Sequence, residues 1–484
     1  MPDDRLTRTA PLPEVGIVHL GPGAFFRAFN AIYTDEAMAE AGGDWGICAV
    51  SLRSPGPRDQ LAPQGCAYTS VTLAPEGAEY RVIESIARIL VAPEDPEAVL
   101  TAMADPNVRI VSLTVTEKGY CHEPSSGRLN RDHPDIVHDL ASPSAPRSAP
   151  GFLVEALARR REAGDAAFTV LTCDNLPSNG ALVRAIVLDF ARARDGAEGG
   201  LAEWIERNVR FPSTMVDRIT PATTPDDVAS LEERQDYRDE AMVAHEPFRQ
   251  WVIEDDFVGG DRPAWDAVGA QMVESVEAHE LMKLRCLNGT HSTLAYLGYL
   301  AGHETISETV RDQPFAELCR ALWTDEILPT LPRPEGEDLD AYTEALLDRY
   351  RNPAIRHRTW QIAMDGSQKL PQRILGTVSD NLDRGVVPLG LGLAVAGWMR
   401  YVGGIDERGA PIDVRDPLAE RLRAASESAA SPQEAVTALL SIRDVFPRTV
   451  AEDPRFRDAV TEAYGRITRD GAREAVKAYL DARR

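Results

Sequence analysis

The 484-residue sequence predicts an α/β fold in which a doubly wound parallel sheet over residues 1–275 precedes a mainly α-helical C-terminal domain over residues 276–484. Three observations carry this expectation. The chain is longer than one hydrophobic core usually organises. From Gly16 to about Thr220, short β-branched runs alternate with helical stretches, the pattern of a parallel sheet covered on both faces. Beyond about residue 275 helical periodicity dominates and strand candidates nearly vanish.

The elements follow in order. Gly16–Leu20 is an apolar run ending in glycines, and a helix fits residues 28–40. Trp45–Leu52, Val108–Val115 and Ala167–Thr172 read as further buried strands, with helical patterns at 96–104, 151–163 and 180–194 between and after them. Residues 67–86 look like antiparallel strands inserted into that scheme. In the second half, helices are expected at 276–303, 315–327, 339–350, 417–429, 432–442 and 455–481. Residues 332–338 read as an acidic surface connection.

Composition narrows the function. Lys and Arg total 52 against 76 Asp and Glu, a formal charge of −24. Such a surface repels nucleic acid and anionic membranes. It also means that an anionic substrate can bind only where basic side chains reverse the field. No run approaches the ~18 apolar residues of a membrane helix, and the N-terminus lacks the apolar core of a signal peptide. The six cysteines form no CxxC pair, which fits reduced thiols in a cytoplasmic protein. The nine histidines form no HxxxH or HExxH pair, so no metal is expected. No GxSxG elbow is present.

The first strand runs into Gly21-Pro22-Gly23-Ala24-Phe25-Phe26-Arg27. Glycines at a strand-to-helix turn let the backbone approach a pyrophosphate, and the helix N-terminus favours its charge. Only two of the usual three glycines occur, with Arg27 next to where the third would be. The second strand should end in an acid for the adenosine ribose. It ends instead in Ser51-Leu52-Arg53-Ser54-Pro55-Gly56, where Arg53 and Ser54 face either a 2′-phosphate or solvent. Glu117 and Lys118 close the 108–115 strand and Asn175 follows the 167–172 strand, at the edges where open α/β sheets collect ligands. Asp217 places a charge inside an apolar strand, which calls for a partner such as Lys283.

The most informative segment is Lys283-Leu-Arg-Cys-Leu-Asn288-Gly-Thr-His291. On an α-helix these offsets hold the three polar residues within about 140° of one another. A lysine desolvated against apolar walls exchanges protons near neutrality. An asparagine amide donates to a developing alkoxide, and a histidine orients the same oxygen. Read blandly, the same residues are a solvated lysine, a helix-internal asparagine and a core histidine, and both readings stand at this point.

The motif Lys-x4-Asn-x2-His resembles that of the long-chain polyol and sugar-acid dehydrogenases, the family of mannitol 2-dehydrogenase and fructuronate reductase. The resemblance covers nearly the whole chain. It runs through Gly21-Pro-Gly23, VSLTVTEKGYC (111–121), CDNLPSNG (173–180), FPSTMVDRITP (211–221), EPFRQWVIEDDFV (246–258) and RPAWDAVGAQ (262–271). It implies an expanded Rossmann-type domain, a helical domain and a site in the cleft between them, with Gly21, Gly23, Ala24, Phe25, Arg53 and Glu117 toward the cofactor. It also implies metal-independent hydride transfer with NAD(H), in which Lys283 is base in oxidation and acid in reduction. Asn175 and Asn288 would hold the reacting oxygen, His291 would orient the substrate, and Asp217 would tune Lys283. Residues 356–373 are most similar to the fructuronate reductases, which points to D-fructuronate and D-mannonate as the substrate pair. The alternatives are a mannitol or arabinitol dehydrogenase, a tagaturonate reductase, and a non-catalytic nucleotide sensor. For the substrate's carboxylate, Arg373 is the first candidate, with Lys369 or Lys118 adding charge. The acids that NAD-preferring mannitol enzymes carry near Pro55 and Gly56 are missing, so some NADP(H) use is expected. The only partner expected is the small-molecule substrate; oligomeric state is left open.

Overall fold

The computed structural model describes residues 5–123, 126–195 and 199–483. The chain divides into two compact units, Met1–Glu277 and Ala278–Arg484.

In the first unit the strands are β1 (Val15–Leu20), β2 (Gly46–Ser51), β3 (Tyr68–Ala74), β4 (Gly77–Ile83), β5 (Ile86–Val91), β6 (Ile110–Leu113), β7 (His122–Glu123), β8 (Arg128–Leu129), β9 (Thr169–Thr172), β10 (Thr214–Asp217), β11 (Val243–His245), β12 (Gln250–Glu254) and β13 (Gln271–Val273). Five of them form one sheet in the order β5-β2-β1-β6-β9, with every pairing parallel. The chain builds outward from β1 to β5, then crosses back to β6 and β9. The order therefore reverses between β1 and β6, and the crevice at that reversal is where such sheets bind ligands. Both faces are buried, which is why the strands read as continuous apolar runs. Val18 and Leu20 of β1 pack into one core with Val50, Val111 and Leu113. Ile17 packs into the other with Ile47, Ile110 and Leu171.

The inserted antiparallel strands are β3 and β4, joined on the far side of β3 by β11. Two sequence expectations need correction here. Ile86 does not end the insertion but opens β5, the edge strand of the parallel sheet. The strand carrying Asp217 is outside that sheet: β10 pairs antiparallel with β12, with Asp217 opposite Gln250.

The second unit is helical around a single core. The expected 455–481 helix is two, Pro454–Asp470 and Ala472–Arg483, divided at Gly471 with φ +85°. A helix that the periodicity did not reveal, Leu389–Val402, lies in the middle and packs against both Thr290–Leu300 and Pro454–Asp470. Its N-terminal donors are met by the buried Glu326 carboxylate, which accepts from the Gly390 and Leu391 amides at 2.7 and 2.8 Å. Capping of this kind uses the free N–H groups and positive end of a helix.

Candidate active site

In the first unit, β1 turns at Gly21, whose φ is +96°. A Cβ there would lie 2.3 Å from the Thr114 carbonyl oxygen, so only glycine fits. The Gly21 carbonyl accepts from the Gly23 amide and the Thr114 hydroxyl, both at 2.7 Å. Gly23 is exposed, and its absent side chain would meet nothing nearer than 4.0 Å, which leaves room for a ligand against the backbone. Ala24 and Phe25, half-buried, begin the short helix Ala24–Ala28. Arg27 is buried and folds back, its Nη1 donating to the Pro22 carbonyl at 2.7 Å. Arg27, one residue beyond the third glycine's place, thus braces the turn.

Beyond β2, exposed Arg53 pairs with Asp135 at 3.3 Å. Beyond β6, Glu117 and Lys118 are exposed on the one-turn helix Thr116–Gly119. Thr116 has φ +64°, an uncommon conformation for a β-branched residue. It is held by Asp174, whose carboxylate accepts from the Val115 and Thr116 amides at 2.9 and 3.0 Å and from the Tyr120 hydroxyl at 2.6 Å. Asp174 therefore fixes the loop after β6 to the loop after β9, directly before the exposed Asn175. Sequence reasoning passed over Asp174, although a carboxylate closing a fully buried strand was a signal. Asp217 is buried at the end of β10. One group of metal-type donors occurs among the described residues, Cys121, His133 and Asp135. Two of its members already serve a helix start and an ion pair: His133 Nδ1 accepts from the Asp135 amide, and Asp135 holds Arg53.

In the second unit, Lys283–Gly289 is not α-helical as expected but a π-helical segment, continued by the α-helix Thr290–Leu300. Turns closed by i→i+5 hydrogen bonds bring residues five apart, such as Lys283 and Asn288, closer to one face than α-helical offsets do. Side chains satisfy the carbonyls of the widened turn. Trp323 Nε1 and the Thr290 hydroxyl donate to the Cys286 carbonyl at 3.0 and 2.5 Å. The Tyr350 hydroxyl donates to the Leu287 carbonyl at 2.8 Å. Lys283 and His291 are buried and Asn288 is half-buried.

A second π-helical segment, Pro371–Leu375, packs on the first. The Arg373 carbonyl oxygen sits 2.8 Å from where a Gly289 Cβ would be. Around His291 the structure gathers His357, with ring centroids 4.8 Å apart, and Tyr350, stacked at 5.5 Å. Burial, then the charges of His357, Arg373, Arg349 and Lys369, hold the His291 imidazole well below its ordinary pKa and so neutral. Arg373 donates from Nη1 to the Ser292 hydroxyl at 3.1 Å. Burial and the neighbouring Arg373 push the Lys369 ammonium down to about 8, against the opposing pull of Asp365 and Asp416. Its Nζ donates to the Ile362 and Met364 carbonyls at 3.2 and 2.5 Å. Of the candidate residues, Lys283, Asn288, His291, Lys369 and Arg373 thus belong to one unit. Gly21, Gly23, Ala24, Phe25, Arg53, Glu117, Lys118, Asn175 and Asp217 belong to the other.

A parallel sheet with its glycine turn at the order reversal and a helical unit with a half-buried basic cluster define a two-unit dehydrogenase. Residues 15–267 match the mannitol dehydrogenase Rossmann domain, and residues 275–468 match the mannitol dehydrogenase C-terminal domain. The chain belongs to the mannitol dehydrogenase family, whose members act as polyol or sugar-acid dehydrogenases. It is 49% identical to the D-mannonate oxidoreductase of Escherichia coli (strain K12) over 96% of each chain. It superposes with TM-score 0.83 on the ternary complex of Pseudomonas fluorescens mannitol 2-dehydrogenase with NAD and D-mannitol, at 38% identity, covering 99% of this chain and 97% of that one. A substrate-free D-sorbitol dehydrogenase superposes with TM-score 0.89 at 31% identity, covering 98% of each.

The contact at Gly289 generates a prediction. Gly289→Ala must push the two π-helical segments apart, an overpacking that costs ~1–3 kcal/mol. Urea unfolding should show that loss, and kcat should fall with it. A variant with unchanged stability and unchanged kcat would mean that this approach does not position the site.

Proposed function

We propose that the chain interconverts D-fructuronate and D-mannonate by hydride transfer with NAD(H), without a metal ion. The observation that carries this reading is the half-buried basic pair Lys369 and Arg373 beside buried, neutral His291, in a chain whose net charge is −24. A cluster of that sign in an acidic protein supports an anionic substrate. The 49% identity to a D-mannonate oxidoreductase supports the same substrate class.

The first unit suits a dinucleotide: Gly23 leaves an open cradle at the end of β1, and a cavity of about 440 Å³ lies at the ends of β2 and β5. NAD(H), when bound, supplies the hydride for reduction and accepts it in oxidation. The remaining work falls to the protein. In reduction the Lys283 ammonium gives its proton to the oxygen of the ketone, and in oxidation the neutral amine takes the alcohol proton. The Asn288 and Asn175 amides donate to that oxygen, stabilising the charge it gains. His291, kept neutral, orients the substrate by hydrogen bonding, and Asp217 tunes Lys283. Arg373 meets the substrate carboxylate with paired N–H donors, and Lys369 adds a point charge. Lys118, exposed in the first unit, is the weaker candidate for that role.

Replacing the proton donor tests the chemistry. Lys283→Ala should lower kcat by about 10²–10⁴-fold, the usual contribution of general acid–base groups, while NADH still binds in fluorescence titration. Retention of more than about a tenth of the wild-type rate at neutral pH would remove Lys283 from the role.

Replacing the guanidinium tests the substrate class. Arg373→Ala should cost ~2–4 kcal/mol in kcat/KM for fructuronate, the range for truncating one partner of a buried charged pair. It should cost far less for fructose, which has no carboxylate. Equal losses would assign Arg373 to the fold or the cofactor and favour a polyol substrate.

Lys369 adds a pH dependence. Its ammonium, pushed down to about 8, is charged at pH 7 and loses that charge through pH 8–9. An anion binds the protonated form better, so affinity for fructuronate falls as pH rises through that range. KM for fructuronate should therefore climb between pH 7 and 9, and Lys369→Arg, which keeps its charge, should flatten the climb. A KM profile unchanged by the substitution would contradict the assignment.

A further inference from the structure

In a Rossmann-type sheet, an acid at the end of the second strand usually accepts hydrogen bonds from the adenosine ribose, while an arginine there accommodates a 2′-phosphate. The stretch after β2, Ser51–Gly56, has no carboxylate. Its path is fixed by the Ser51 hydroxyl, which donates to the Ser54 carbonyl at 2.6 Å. Taken alone, Arg53 at that edge would predict NADP(H).

The structure supplies the missing acid from elsewhere in the same unit. Asp135 lies in the first turn of the helix Pro134–Ala141, 82 residues after Arg53, and both line the cavity of about 440 Å³ with Leu52, Pro93, Pro96 and Arg147. The Asp135 side chain is 18% exposed and that of Arg53 is 68% exposed. The carboxylate is therefore the packed member of the pair and the guanidinium the exposed one. Asp135 Oδ2 engages Arg53 at 3.3 Å.

We propose that Asp135 is the residue that sets this chain's selectivity for NAD(H) over NADP(H). The carboxylate accepts from the ribose hydroxyls of NAD(H). It also neutralises Arg53, which would otherwise pair with a 2′-phosphate, and its own charge repels that phosphate. Arg147 on the same wall keeps the discrimination moderate, so the wild type prefers NADH while still binding NADPH. This inference rests on the reading of the chain as NAD(H)-dependent.

The experiment is a set of direct binding measurements, by quenching of protein fluorescence with NADH and with NADPH in the absence of substrate. Asp135→Asn preserves the shape of the side chain and removes its charge. It should shift the ratio of the two dissociation constants at least tenfold toward NADPH. Asp135→Glu should stay within about threefold of the wild-type ratio. Adding Arg53→Ala to Asp135→Asn should abolish most of the gained NADPH affinity while leaving NADH binding little changed. A folded Asp135→Asn protein, judged by an unchanged melting temperature, whose ratio stays within twofold of the wild type overturns the proposal alone. A wild-type protein that binds neither dinucleotide overturns it together with the functional reading on which it rests.

Discussion

Two stretches of backbone in the helical unit approach so closely that one must be glycine. Gly289 ends the Lys283–Gly289 segment, and the Arg373 carbonyl occupies the space a side chain would need. Much of the unit's chemistry follows from that approach. It holds the segment bearing Lys283 and Asn288 against the segment bearing Arg373, with Lys369 just before it. The wide π-helical turn survives because its carbonyls find donors in Trp323, Tyr350 and Thr290 instead of remaining buried and unpaired, which would cost ~1–3 kcal/mol each. Tyr350 links both features: its hydroxyl satisfies the turn and its ring stacks on His291.

Electrostatics follow the packing. Half-buried Arg373, Lys369 and His357 surround the buried His291, and desolvation together with mutual repulsion lowers the proton affinity of the histidines and of Lys369. Holding cations together away from water is costly. An incoming carboxylate would relieve that repulsion, so the cluster is electrostatically prepared for an anion that the protein's surface as a whole repels. In the first unit the same economy of charge is seen at smaller scale, where Asp174 fixes two loops and Asp135 restrains Arg53.

Much of this was legible in the sequence because buried parallel strands announce themselves. Gly16–Leu20, Trp45–Leu52 and Ala167–Thr172 are apolar runs bounded by turn residues, and each yields a strand of the central sheet. The Lys-x4-Asn-x2-His motif located the helical unit's polar segment. What was missed has physical reasons. Leu389–Val402 is buried almost all round and rich in glycine, so it has neither a polar face nor strong propensity to mark it. β5 follows the β3–β4 hairpin with only two residues between, and nothing local distinguishes a return to the parallel sheet from a third antiparallel strand. The π-helical turn depends on Trp323 and Tyr350, 37 and 63 residues from the carbonyls they satisfy, which no local pattern encodes. Asp135 was invisible as a partner of Arg53 for the same reason.

On the proposed function, the helical unit's basic cluster selects a sugar acid over a neutral sugar of the same carbon skeleton. Steady-state kcat/KM of the wild-type protein with NADH, measured side by side for fructuronate, tagaturonate, fructose and xylulose at pH 7, tests it most directly. Fructuronate should rank highest, exceeding fructose by at least about 30-fold, since the carboxylate contact is worth ~2–4 kcal/mol. Fructose or xylulose turning over as efficiently as fructuronate would contradict it.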